Sequence, residues 1–169
     1  MSHWLPRLVR HRLFDERDTA HALSTEALKR IEAKVAASER RHSGEIRVMV
    51  EAGLPLGYLR REAAPRDRAV AMFGKLRVWD TELNNGVLIY LLLAERAIEI
   101  VADRGLTRLV DAATWAKIAT QMQAAFRSGE FEPGLTLAID AVDALLVCHF
   151  PLAAGAANVN ELPDAPVVR

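Results

Sequence analysis

The spacing of apolar residues along the chain predicts an alternation of helices and strands. Over residues 24–41 apolar positions recur every three or four residues, which predicts an amphipathic helix that Ser24 or Thr25 caps. Over residues 45–51 the side chains instead alternate with a period of two, the pattern of a strand with one better buried face. We therefore expect this first strand to lie near an edge of the sheet.

Later apolar segments predict the rest of the sheet. A second helix is expected over residues 66–76, and residues 86–93 form an apolar run that is typical of a central strand buried on both faces. Residues 97–102 predict a third strand, which the tight connection at Glu95-Arg96 makes antiparallel to the second. A helical crossover between the first two strands makes them parallel to each other.

The last third of the chain predicts two helices that cover this sheet. Their apolar stripes lie on either side of breaker residues 129–134 and comprise Trp115, Ile118, Ala119, Met122 and Phe126, then Leu135, Ile139, Val142, Leu145 and Leu146. The pattern predicts an α/β fold, a three-layer α/β/α sandwich in which helices flank a small mixed sheet of about three to five strands. We expect an N-terminal amphipathic extension (1–20), one domain (21–150) and a flexible C-terminal tail (151–169).

Composition narrows the class of function. The 22 basic and 22 acidic side chains cancel, which removes the global electrostatic argument for binding nucleic acid. Cys148 is the only cysteine, so an intramolecular disulfide and a Cys-rich zinc site are excluded, and we expect it to be a small buried hydrophobe.

The longest apolar run, residues 86–94, is shorter than the roughly 20 residues of a transmembrane helix. With no signal-like N-terminus, a cytoplasmic location is the default expectation.

Polar side chains gather where the predicted strands begin or end. The first two strands are parallel and the third is antiparallel, so the starts of the first two and the end of the third share one rim. Carboxylate and amide oxygens are the ligands that calcium and magnesium prefer. The sequence therefore predicts Ca²⁺ or Mg²⁺ bound by Asp80, Asn84, Asn85, Asp103, Asp111 and Glu45. Ordinary loop chemistry remains an alternative, because Asn-Gly favours a turn and Asp111 can cap a helix.

Two further features bear on partners and catalysis. The N-terminal segment carries apolar residues together with Arg7, Arg10 and Arg12, so it can dock on its own domain, on a membrane or on a partner protein. The chain has no nucleophile elbow, phosphate-binding glycine loop or HExxH motif. Catalysis by a Ser-His-Asp triad therefore has no local support.

Several segments together resemble the TPM domain family, which includes thylakoid lumen and photosystem II repair proteins. The matching segments are residues 43–46, 84–89, 94–100, 105–106, Asp111 and 126–131, and the similarity covers about residues 15–150. The resemblance implies an α/β/α sandwich. It also implies acidic loop positions, which map onto Asn84 or Asn85, Asp103 and Asp111. Some members are associated with calcium binding or acid phosphatase activity, and bacterial members are often membrane-anchored.

These observations leave three hypotheses for function. The first is a non-enzymatic accessory or binding module that holds a divalent cation at the rim and engages a protein partner, membrane-associated or not, in envelope or membrane-protein maintenance. The second is a metal-assisted, acid-phosphatase-like hydrolase in which Asp103 or Asp80 is a ligand or base. The third is an interaction domain without an ion. We expect no nucleic-acid partner and no transmembrane segment.

Overall fold

The computed structural model of the protein describes residues 4–14, 16–153 and 155–169. Within these residues eight α-helices accompany a four-stranded open sheet, which confirms the predicted α/β class and the helix-flanked sandwich. The elements are α1 (Trp4–Leu13), α2 (Glu16–Ala22), α3 (Thr25–Glu39), β1 (Ile46–Glu51), α4 (Leu56–Arg60), α5 (Pro65–Lys75), β2 (Val87–Leu92), β3 (Ala97–Ala102), α6 (Arg104–Thr107), α7 (Ala112–Ser128), α8 (Phe131–His149) and β4 (Val167–Val168).

The sheet has the strand order β3-β2-β1-β4. Strand β1 pairs with β2 in parallel, with Ile46 opposite Val87, because α4 and α5 form the crossover between them. Strand β3 returns antiparallel to β2, with Ala102 opposite Val87. The predicted crossover and the predicted return are both confirmed, and together they place the start of β2 beside the end of β3.

The C-terminal segment closes one edge of the sheet. Strand β4 pairs in parallel with β1, with Val167 opposite Met49, so all six residues of β1 are buried in the sheet interior. Strand β1 does lie near an edge, because its neighbour β4 is the edge strand, but both of its faces are buried where the pattern predicted one better buried face. The tail predicted to be flexible is also held by Arg47, whose guanidinium donates to Ala165 O at 2.6 Å and to Pro163 O.

Two apolar layers pack on the two faces of the sheet. On one face β1 and β2 bury Val48 and Ile89 against α3, α7 and α8. On the other face Met49 and Leu88 pack against α5 and the segment around it. Val87–Leu92 is completely buried, as its unbroken apolar run predicts, because helices cover both of its faces.

The N-terminal helix α1 docks on its own domain. Arg7 Nε donates to Glu95 Oε1 at 2.6 Å, and His11 Nε2 lies 2.7 Å from the same oxygen. The Leu54 N–H donates to His11 Nδ1 at 2.9 Å, so the imidazole is held between two parts of the domain. In the ranges described above, no helix is both long enough and apolar enough to cross a membrane.

Cys148 lies near the end of α8 and is exposed. The expectation of a buried hydrophobe is wrong because helical spacing places position 148 away from the stripe that Val142 and Leu146 bury. A cysteine with an apolar neighbourhood in sequence can still lie on the outer side of an amphipathic helix.

Candidate functional site

The end of β3 is fastened to the loop that precedes β2, and we call residues 83–86 and 103–105 the rim. Asp103 N–H donates to Gly86 O at 2.9 Å, and Gly105 N–H donates to Asn84 O at 2.8 Å. A Cβ atom at Gly105 would lie 2.4 Å from Asn84 O, and one at Gly86 would lie 2.0 Å from Val78 O. Only glycine permits these backbone contacts, so the two glycines set the geometry of the rim.

Asn85 is fully buried at the rim. Its backbone N–H donates to Thr81 Oγ1 at 3.1 Å, and its side-chain Nδ2 donates to Ser43 O at 3.1 Å. The remaining polar atom, Oδ1, is buried and accepts no hydrogen bond from the described residues. Leaving such an acceptor unsatisfied costs about 1–3 kcal/mol, so a native structure needs a reason to keep it.

Asp103 presents a second unsatisfied oxygen at the same rim. Its Oδ1 accepts the Arg104 N–H at 2.6 Å and so caps α6. Its Oδ2 is buried and, like Asn85 Oδ1, has no hydrogen-bond partner in the described part of the chain. The rim therefore contains one carboxylate oxygen and one amide oxygen that accept no hydrogen bond from residues 4–14, 16–153 or 155–169.

Asn84 and Arg104 add a positive charge to the rim. Asn84 has a left-handed backbone with φ of 52°, and its Oδ1 accepts a hydrogen bond from Arg104 Nε at 3.0 Å. This contact engages the Asn84 side chain and holds an exposed guanidinium at the rim. A guanidinium attracts anions such as phosphate and lowers the affinity of a nearby site for cations.

The other three predicted ligands have partners away from these two oxygens. Glu45 is buried, and its carboxylate accepts hydrogen bonds from Asn158 Nδ2 at 3.2 Å and Leu162 N–H at 3.1 Å. Burial raises the pKa of Glu45 above its ordinary value, although these two hydrogen bonds act in the opposite direction. Its side chain therefore serves to hold the C-terminal segment.

Asp80 and Asp111 lie at the surface. Asp80 Oδ2 pairs with Arg77 Nε at 3.6 Å, and Asp111 Oδ1 accepts the Thr114 N–H at 2.6 Å as the cap of α7. That capping hydrogen bond lowers the pKa of Asp111. The rim thus brings together Asn84, Asn85 and Asp103 out of the six predicted residues. Among the described residues, no group of three or more His, Cys, Asp or Glu side chains is placed to hold a metal ion.

A second polar site involves Glu39, which the sequence analysis did not single out. Its Oε1 accepts the Ile46 N–H at 2.8 Å, and it borders a cavity of about 380 Å³ that Asp164 also lines. Burial raises the pKa of Glu39 to about 9, and the nearby carboxylates of Glu45 and Asp164 add to this increase. The signal was present in the helical spacing, because position 39 continues the buried stripe of α3.

A family model and solved structures of other proteins match this chain. The family model of the TPM domain matches residues 17–145. The BA42 protein from the psychrophilic bacterium Bizionia argentinensis, solved by NMR, is 29% identical, with a TM-score of 0.75 over 87% of this chain and 95% of that chain. The N-terminal domain of a protein from P. gingivalis shares the fold at 22% identity, with a TM-score of 0.56 over 79% of this chain and 84% of that chain. No curated protein matches the sequence.

Proposed function

The chain belongs to the TPM domain family, and from this premise we propose that it is a binding module that holds a divalent cation at the rim and engages a protein partner. One observation carries the proposal: Asn85 Oδ1 and Asp103 Oδ2 are buried at the same rim without hydrogen-bond partners among the residues that the structure describes. In this proposal a cation bound at the rim would give these oxygens the partner that they lack among the described residues.

The chemistry of these two oxygens suits calcium better than a transition metal. Carboxylate and amide oxygens are hard ligands, and calcium takes six to eight oxygens with water filling the positions that the protein leaves open. Of the two proposed ligands, Asp103 is the one that carries a negative charge. The positive charge of Arg104, which lies at the same rim, opposes the binding of a cation. We therefore expect weak binding, with a dissociation constant of roughly 10⁻⁴–10⁻³ M, the range of sites with few charged ligands.

Apolar side chains in the segments that flank the rim support a partner surface. Leu83 lies within the rim loop, Trp79 precedes it and Leu109 follows α6, and these side chains are 52%, 49% and 53% exposed. Exposed apolar residues that flank a polar site are a common feature of protein interaction surfaces. In this proposal the cation fixes the two segments of the rim relative to each other, and the partner contacts the surface around them.

Thermal unfolding tests the cation. A ligand that binds only the folded state raises the midpoint with its concentration, so 10 mM CaCl₂ should raise the midpoint by about 3–10 °C relative to EDTA. Asp103→Asn removes the charge of one proposed ligand and should abolish this increase. Asp80→Asn is the matched control, because Asp80 is exposed and pairs with Arg77, and it should retain the increase. An unchanged midpoint in the parent protein, or an equal increase in Asp103→Asn, would refute the cation site.

A second candidate function, metal-assisted hydrolysis of a phosphate ester, is favoured by Arg104. Its exposed guanidinium lies at the rim beside Asn84, where it can contact a phosphoryl oxygen. The test is release of p-nitrophenol from p-nitrophenyl phosphate with Ca²⁺ or Mg²⁺ present. Ion-dependent turnover that is lost in both Asp103→Asn and Arg104→Met would support the hydrolase over the module. No turnover with either ion would leave the binding module as the function of the rim.

A further inference from the structure

Strand β3 forms an edge of the sheet, and its pairing shows which backbone groups face outward. Asp103 N–H donates to the O atom of Gly86, the residue before β2. In an antiparallel pair every second residue bonds to the neighbouring strand, so the backbone groups of Val101, Glu99 and Ala97 also face β2. The N–H and C=O groups of the intervening residues point away from β2. The outward residues are Ile98, Ile100 and Ala102.

Little of this outer edge is occupied. Within the described ranges, the one recorded hydrogen bond to it is donated by the Arg66 guanidinium to Ile100 O. The opposite edge of the sheet is closed by β4, a short segment of the chain's own tail that adds beside β1. The fold thus already includes strand addition at one edge, and the other edge offers unpaired backbone groups to a second extended segment.

A groove runs along this free edge. It has a volume of about 330 Å³ and lies between β3 and the face of α7, with Arg66 of α5 at its border. Its α7 side consists mainly of small residues, which leave room for large side chains of a ligand: Ala112, Ala116 and Ala119, with Trp115 and Met122. The indole Nε1 of Trp115 is a buried donor that has no acceptor among the described residues.

We propose that the outer edge of β3 binds an extended peptide segment of a partner protein as a fifth strand of the sheet. Because side chains of a strand alternate between its two faces, one set of ligand residues faces α7 and the other faces Arg66. The α7 side, which Ala112, Ala116 and Ala119 line, takes apolar residues. The groove contains none of the apolar residues that flank the rim, so this is a further partner site beyond the proposed function.

The charges around the groove favour acidic residues in this ligand. Arg66 is half exposed at the middle of the strand, and Arg96 and Arg104 flank its two ends. Arg96 donates to Arg127 O at 2.7 Å and Arg104 donates to Asn84 Oδ1 at 3.0 Å, so both contacts are with neutral oxygens. The acidic residue of the strand, Glu99, already pairs with Arg66 at 3.5 Å. A ligand that alternates apolar and acidic residues therefore complements the groove in both shape and charge.

Selection from a phage-displayed library of eight-residue peptides, performed on the full chain in EDTA, tests the proposal. Recovered peptides should alternate apolar and acidic residues. A synthetic copy should slow hydrogen exchange at the outward N–H groups of Ile98, Ile100 and Ala102. Ala116→Trp fills the groove from an exposed position and should weaken binding at least tenfold. Ala113→Trp, exposed on the same helix outside the groove, should not weaken it.

The outcomes of this experiment separate the peptide site from the cation site. Failure to recover any binding peptide, protection confined to other amides, or equal affinity in the two tryptophan variants would each overturn the proposal. Light scattering that shows a dimer formed through β3, lost in Ala116→Trp, would make a second copy the occupant and would also overturn it. Because EDTA is present throughout, none of these results bears on the response to calcium.

Discussion

Replacing Arg68 by methionine is expected to destabilise the domain by about 3–5 kcal/mol, because the change leaves the Glu51 carboxylate buried without its counter-charge. Arg68 Nε donates to Glu51 Oε2 at 2.9 Å and Nη2 donates to Oε1 at 2.5 Å. Tyr90 Oη donates to Glu51 Oε2 at 2.6 Å, and all three residues are buried. Burial raises the pKa of Tyr90, which keeps its hydroxyl a donor.

Urea unfolding followed by circular dichroism measures this loss. Arg60→Met is the matched control, because Arg60 is exposed on α4, and it should change the free energy of unfolding by less than about 0.5 kcal/mol. Adding Glu51→Gln to Arg68→Met removes the uncompensated charge and should recover part of the lost stability. A loss below about 1 kcal/mol in Arg68→Met would show that the pair is solvated and does not hold α5 against β1.

Glu39→Gln is expected to stabilise the protein at alkaline pH while leaving it nearly unchanged near pH 4.5. The pKa of Glu39 is raised from 4.5 to about 9, chiefly by burial, so the folded state favours its protonated form. The stability associated with this proton is fully present below the unfolded pKa and is lost as pH rises towards 9. Glutamine remains neutral over this range and keeps an oxygen that can accept the Ile46 N–H.

The free energy of unfolding measured at pH 5 and pH 8 tests this expectation. Each pKa unit corresponds to about 1.4 kcal/mol, so the advantage of Glu39→Gln should grow by about 2 kcal/mol or more between the two values. Glu32→Gln, an exposed change on the same helix, should show no such growth. If the advantage of Glu39→Gln is the same at both pH values, the carboxyl group of Glu39 is not buried in its protonated form.

The periodicity of apolar residues correctly predicted the helices and strands whose burial depends on their own local sequence. Helix α3 with its Ser24 cap, the doubly buried β2 and the antiparallel β3 all follow from apolar spacing and short turns. The same topology predicted that Asn84, Asn85 and Asp103 would meet, since parallel pairing and one tight return fix which strand ends share a rim. The predicted strand directions alone were therefore sufficient to place three of the six predicted ligands at one rim.

The rest depended on long-range contacts that leave no periodic signal. Strand β4 spans only Val167–Val168, so nothing in the sequence distinguished it from a tail, and the buried position of β1 was missed with it. The neighbourhood of Glu39 and Asp164 also forms only when the tail returns. Asp80 and Asp111 are acidic like Asp103, and only side-chain geometry shows that they have other partners.

The claim that the rim holds a cation is tested most directly by titrating CaCl₂ into ¹⁵N-labelled protein and recording amide chemical shifts. We expect the largest shifts at residues 84–86 and 103–105, and we expect Asp103→Asn to remove them. Shifts concentrated around the exposed Asp80 and Asp111, or no saturable shift up to 10 mM calcium, roughly ten times the weakest expected dissociation constant, would contradict it.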